Sequence, residues 1–221
     1  MVKVRVWDLP TRLFHGALAL AVLGLAVTGQ VGGDAMVWHF RFGYTVFALL
    51  LFRLCWGCVG GHWSRWGQLP LSFKSLKSYW QGRQNPKLTT GHNPAGSWSV
   101  LAMLCWLALQ VGTGLVSDDE IVNSGPLTAL VSGAVVSAAT AWHKGLGKFI
   151  LLALVLLHVG AVLWYKLRKK QNLMPAMLHG NKMVASETPS SRDDMTTRWG
   201  ACIVLLLCGL AVRWVVSLGL A

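Results

Sequence analysis

Four histidines lie where a polar ring is least expected. His15, His39, His143 and His158 fall inside long apolar runs or at their ends. An imidazole in a hydrocarbon layer is costly and is retained there mostly for function. Two of them share the segment from Ser137 to Lys170, His143 near its start and His158 near its end. As one helix this segment crosses a bilayer, and fifteen residues set the two rings roughly 22 Å apart along the axis. That is about one ring per leaflet.

Two facing imidazoles at one depth are what a six-coordinate haem requires. Each neutral ring gives one nitrogen to the iron, and the porphyrin lies flat against neighbouring helices. With both axial positions filled no place remains for oxygen, and such a centre passes electrons one at a time. A lone buried histidine is by default a hydrogen-bonded structural residue. Four histidines at matched depths favour ligation.

The elements that must position these rings are apolar spans. The chain has 221 residues, 54% hydrophobic and only 13% charged, with 12 Trp. This composition belongs to an all-α integral membrane protein. Apolar runs are expected at about residues 13–31, 38–59, 94–116 and 137–165, with a further one at 199–221. The first is long for a signal peptide, lacks a clean cleavage site and contains His15, so it reads as a retained span. Residues 1–182 then form a four-helix membrane domain, 183–198 a flexible linker, and 199–221 an extra C-terminal transmembrane helix. Between the second and third spans, Phe73, Leu76 and Trp80 share one helical face, with Lys74 and Ser78 opposite. This suits a short helix in the headgroup layer or an ordinary loop helix.

The net charge of +12 has a membrane cause. With the N-terminus in the cytoplasm, the N-terminal segment, the loop at 60–93 and the segment at 166–198 are all inside. They carry fifteen Lys and Arg, whereas the outer loops and helix ends carry Arg41, Lys144 and Lys148. This is the positive-inside pattern of a membrane protein, and a chain this apolar has little soluble surface to offer nucleic acid.

In that topology His15 and His158 lie towards the cytoplasmic ends of their spans, and His39 and His143 at the outer starts of theirs. The expected pairs are therefore His15 with His158 and His39 with His143, as axial ligands of two haem irons. The outer pair repeats a dipeptide, Trp38-His39 and Trp142-His143. Haem propionates need cations: Arg12 and Arg53 are placed for the inner level, Arg41 and Lys144 for the outer. Anchoring helix ends in headgroups is the competing role for all four. His62, His92 and His179 read as surface residues, with a small role for His92 in quinone proton transfer kept open. The five Cys lie in apolar segments. Cys55 and Cys58 have C-x-x-C spacing, but Val59 follows, so this is not a c-type haem attachment site.

Several separate stretches also resemble one family. VWDLPTRLFHGALALAVLGLAVTG, WHFRFGYTVFALLLFRLCWG, SFKSLKSYWQGR, GHNPAGSWSVLAMLCWLALQVGTGLVSDDE and HKGLGKF…HVGAVLWYKLRKKQNL are similar, in order, to the bacterial cytochrome b561 family. That family includes the b-type cytochrome subunits of nickel–iron hydrogenases. The resemblance covers about residues 4–182. It implies a four-helix core with two haem b groups held by histidines of spans one, two and four, at positions matching His15, His39, His143 and His158. It also implies electron exchange between membrane quinone or quinol and a redox partner. Asp118, Asp119 and Glu120 are candidates to dock a basic periplasmic cytochrome c. Two alternatives stand beside this: a membrane anchor of a hydrogenase or dehydrogenase, and a haem-free transporter or scaffold.

Overall fold

The computed structural model describes residues 1–83, 90–119, 122–185 and 187–219. Among the described residues the chain is all-α apart from one short ribbon. Its elements are β1 (Val2–Arg5), α1 (Leu9–Val31), α2 (Met36–Val59), α3 (Phe73–Trp80), α4 (Pro94–Leu115), α5 (Gly133–Lys144), α6 (Leu146–Leu167), α7 (Met174–His179), β2 (Asn181–Val184) and α8 (Met195–Ser217). Five stretches are long and apolar enough to span a membrane: Leu9–Val31, Gly33–Val59, Pro94–Leu115, Gly133–Leu167 and Met195–Ser217. The protein is a multi-pass membrane protein. Its exposed Leu20, Leu23, Leu156, Leu157, Leu206 and Trp214 are what lipid-facing helix surfaces require.

The chain forms two compact units. The first comprises residues 1–15, 53–102 and 156–203, and the second residues 16–52, 103–155 and 204–221.

The first unit is organised around Asp8. The sequence Trp7-Asp8-Leu9-Pro10 is a helix start: Asp8 Oδ1 accepts the Thr11 amide at 2.8 Å, and Pro10 occupies the first turn. The same carboxylate, fully buried, also accepts the Trp56 indole N–H at 3.3 Å, the Gly61 amide at 3.0 Å and the Ser64 hydroxyl at 2.9 Å. Gly61 is required there, because a Cβ would lie 2.3 Å from Asp8 Oδ2. Val6, Trp7 and Trp63 form the adjoining apolar cluster, with Ala176 and Met177 packed against it.

Within the segment 183–198, expected from composition to be a flexible linker, several residues have partners distant in sequence. β2 pairs antiparallel with β1, Val2 opposite Val184 and Arg5 opposite Asn181. Ser191 donates its hydroxyl to the Val6 carbonyl and its amide to the Arg5 carbonyl, and accepts the Trp63 amide. Asp193 pairs with Arg5 and Arg198 and accepts the Leu9 amide. Burial raises the Asp193 carboxyl, but the bonds from Arg198, the Leu9 amide and Arg5 outweigh it and hold the group below the ordinary carboxylate range. Small polar residues signal a loop, but long-range partners decide whether that loop is ordered.

In the second unit, Ala21, Val46, Leu50 and Leu107 form the core, with Leu18, Val22, Leu25, Phe42 and Leu151 around it. The fourth span, expected as one helix, is two. Gly145 leaves helical geometry at φ −99° and ψ −118°, so α5 ends at Lys144 and α6 begins at Leu146. Carbonyls near such a break need new partners. Gln110 Nε2 donates to the His143 carbonyl at 3.1 Å, and Trp106 Nε1 to the Gly147 carbonyl at 2.9 Å. Gln110, the one strongly polar residue inside α4, is thus used at the break.

Candidate haem-binding site

Each unit holds one pair of histidines. In the first, His15 of α1 and His158 of α6 lie with ring centroids 6.3 Å apart. In the second, His39 of α2 and His143 of α5 are 6.2 Å apart, ring planes nearly perpendicular at 88°. All four rings are half-buried.

These separations fit a metal centre. A metal–imidazole bond of about 2 Å on each side, added to the distances from nitrogen to ring centre, sums to about 6 Å. A pair of imidazoles does not by itself satisfy a bare ion, and among the described residues no three His, Cys, Asp or Glu side chains gather to hold one. A macrocycle supplies the four equatorial donors and leaves two axial positions for the protein. Two half-buried imidazoles about 6 Å apart would suit those two positions.

The expected cations are placed as follows. Arg53 is buried, donates Nη1 to the Ser64 carbonyl at 2.8 Å and stacks 4.2 Å over the Trp66 ring. Arg12 donates Nη1 to the Leu178 carbonyl at 2.6 Å, reaches Asp193 at 3.8 Å, and has a buried Nε with no partner among the described residues. Arg41 lies 4.8 Å over Trp38, and Lys144 ends α5. Arg12 and Arg53 thus hold protein groups in the first unit, alongside any cofactor role.

His92, read from sequence as a surface residue, is not one. Its ring packs 4.7 Å from Trp7, and its Nδ1 is sealed from solvent with no partner among the described residues. Burial, then the charges of Arg53, His15, Lys182 and His158, lower its pKa to about 3. The sign is direct. Between about pH 3 and pH 6.5 the unfolded chain binds a proton that the folded chain refuses, so stability rises with pH over this window and levels off above it. His92→Gln is expected to flatten that acid limb in thermal unfolding recorded from pH 4 to 8; an unchanged limb would count against the burial argument.

The acidic loop folds on itself. Asp119 accepts the Val122 and Asn123 amides and the Asn123 side chain, and Asp118 forms a bridge with Ser124. Glu120 lies outside the described residues.

The structure is that of a multi-pass helical membrane protein with two imidazole pairs about 6 Å apart. The sequence pattern of the prokaryotic cytochrome b561 family matches residues 6–180, and the chain belongs to that family. Similar curated proteins include a probable Ni/Fe-hydrogenase B-type cytochrome subunit of Azotobacter chroococcum mcd 1, 27% identical over 224 aligned positions, covering 84% of this chain and 91% of the relative. The Azotobacter vinelandii protein of the same name is also 27% identical, with the same coverage. A probable Ni/Fe-hydrogenase 1 B-type cytochrome subunit of Escherichia coli (strain K12) is 24% identical, covering 81% of this chain and 91% of the relative. No solved structure matches. The family match ends at residue 180, so β2, the segment that follows and α8 lie beyond it.

Proposed function

We propose that this chain is a di-haem membrane cytochrome that passes electrons between membrane quinone or quinol and a redox partner. His15 and His158 would hold one haem b, and His39 and His143 the other. The observation that carries this reading is the recurrence of one spacing, 6.3 and 6.2 Å, in two pairs drawn from separate parts of the chain. When bound, such a haem accepts and returns single electrons without opening an iron position to oxygen. The protein's part is to present the imidazoles, surround the macrocycle with apolar side chains and supply cations to its propionates, with Arg12, Arg53, Arg41 and Lys144 as candidates. The distribution of Lys and Arg supports an inner-membrane orientation with the N-terminus in the cytoplasm, which puts the His39–His143 pair towards the outer face.

Two partner readings follow. A periplasmic cytochrome c could approach the loop carrying Asp118 and Asp119. The similarity to probable Ni/Fe-hydrogenase B-type cytochrome subunits favours the alternative, a membrane subunit serving a hydrogenase. Reconstituted into quinone-containing vesicles, the full chain is expected to show its haem bands reduced when a quinol analogue is added, and reoxidised by the true partner. Haem bands indifferent to quinol would count against the quinone step. Reoxidation by a cytochrome c alone would decide against the subunit reading.

A further inference from the structure

The two histidines of the second unit are held by the same three-part device, built twice on different helices. His39 Nδ1 lies 3.2 Å from the Leu25 carbonyl and 3.3 Å from Thr28 Oγ1. His143 Nδ1 lies 2.9 Å from the Gln110 carbonyl and 3.4 Å from Thr113 Oγ1. In each case a carbonyl is followed three residues later by a threonine and four residues later by a glycine. Gly29 passes so close that a Cβ would sit 3.0 Å from His39 Cε1, and at Gly114 it would sit 2.8 Å from His143 Cε1. Each histidine thus meets, on a helix other than its own, two acceptors and a bare backbone.

The chemistry of the donors settles the tautomer. A carbonyl only accepts, so Nδ1 must carry the proton in both rings. Each threonine already donates, Thr28 to the Gly24 carbonyl at 2.7 Å and Thr113 to the Leu109 carbonyl at 2.9 Å. Their hydroxyl oxygens are therefore acceptors towards the same Nδ1–H. A threonine back-bonded within its helix is common; one whose oxygen then meets a ligand imidazole, twice in the same pattern, is a built feature. The first unit lacks it: among the described residues neither His15 nor His158 has a hydrogen-bond partner on its ring.

Resting on the di-haem reading above, we propose that Thr28 and Thr113, with the Leu25 and Gln110 carbonyls, are positioning residues. They fix His39 and His143 with Nε2 towards the iron and make this the lower-potential haem of the two. Acceptors on Nδ1–H raise the basicity of the ligating nitrogen, which favours the ferric state. The His15–His158 pair lacks such acceptors among the described residues, so its ligating nitrogens are the less basic and its haem the higher-potential one.

The test is a redox titration of the purified full-length protein, followed by optical bands and by EPR g values, with haem per chain counted first. Thr28→Val and Thr113→Val keep the shape and remove the acceptor; Thr28→Ser and Thr113→Ser restore it. In the double valine variant the lower step is expected to move upward, with the ferrous-to-ferric ratio at fixed poise rising about three- to tenfold, tenfold being about 59 mV for one electron. The upper step stays in place, and the serine variants titrate like the wild type. The single valine variants carry the same test if the double one does not accumulate. Two haems with an unmoved lower step, a moved upper step, or serine variants that shift as far as valine would overturn this assignment alone. Fewer than two haems in the wild type would overturn the reading beneath it.

Discussion

His143→Ala is expected to cut bound haem from two per chain to one. His143 and His39 face each other at 6.2 Å, and removing either ring leaves one axial position without a protein donor. The change is local for three reasons. His143 is the last residue but one of α5, next to the break at Gly145, so no helix must be rebuilt. The Gln110–His143 carbonyl bond uses the backbone and survives. The other pair belongs to a separately packed unit. The remaining haem should therefore keep its low-spin bis-histidine spectrum. His158→Ala should give the reciprocal result, and His62→Ala, at a ring that packs on Trp63, should retain both. Loss of both haems on either substitution would mean the pairs are not independent sites.

The largest effect on stability is expected at Asp8. Its carboxylate gathers four donors in a fully buried position, and Arg53 is close enough to feel its charge. Asp8→Leu leaves the Trp56 indole, the Gly61 amide and the Ser64 hydroxyl without that acceptor. At about 1–3 kcal/mol for each unsatisfied buried donor, offset by local relaxation, the cost is about 3–5 kcal/mol. For a chain of this size that lowers the unfolding midpoint by about 6–20 °C. Asp8→Asn keeps an acceptor and the shape, and is expected to fall between. Thermal unfolding in detergent reads the difference. Equal midpoints for wild type and Asp8→Leu would show that the cluster does not hold the unit together.

The spans and the family were legible because lipid imposes a coarse rule: about twenty apolar residues in a row can be read without knowing what they touch. Pairing by depth came from charge asymmetry alone, which set His15 with His158 and His39 with His143; these are the rings that lie 6.3 and 6.2 Å apart. What composition could not carry was everything held by partners distant in sequence. Asp8 carries no local signal of its role, since its donors at residues 56, 61 and 64 are distant in sequence. Ser191 and Asp193 read as linker for the same reason. His92 seemed to lie on the surface because it precedes a span, yet Trp7, some 85 residues earlier, covers it. The break at Gly145 was hidden because glycine is common in membrane helices. The one available signal for the histidine cradles was the repeated Thr-Gly step at 28–29 and 113–114, which gains meaning only when imidazoles are seen against it.

The central claim is that each imidazole pair holds one haem b. A pyridine haemochrome count on the detergent-purified full-length chain, with a reduced-minus-oxidised spectrum on the same sample, tests it most directly. Two haem b per chain with low-spin spectra is the predicted result. A chain that folds and purifies intact, yet carries no haem b after expression with ample haem supply, would contradict it.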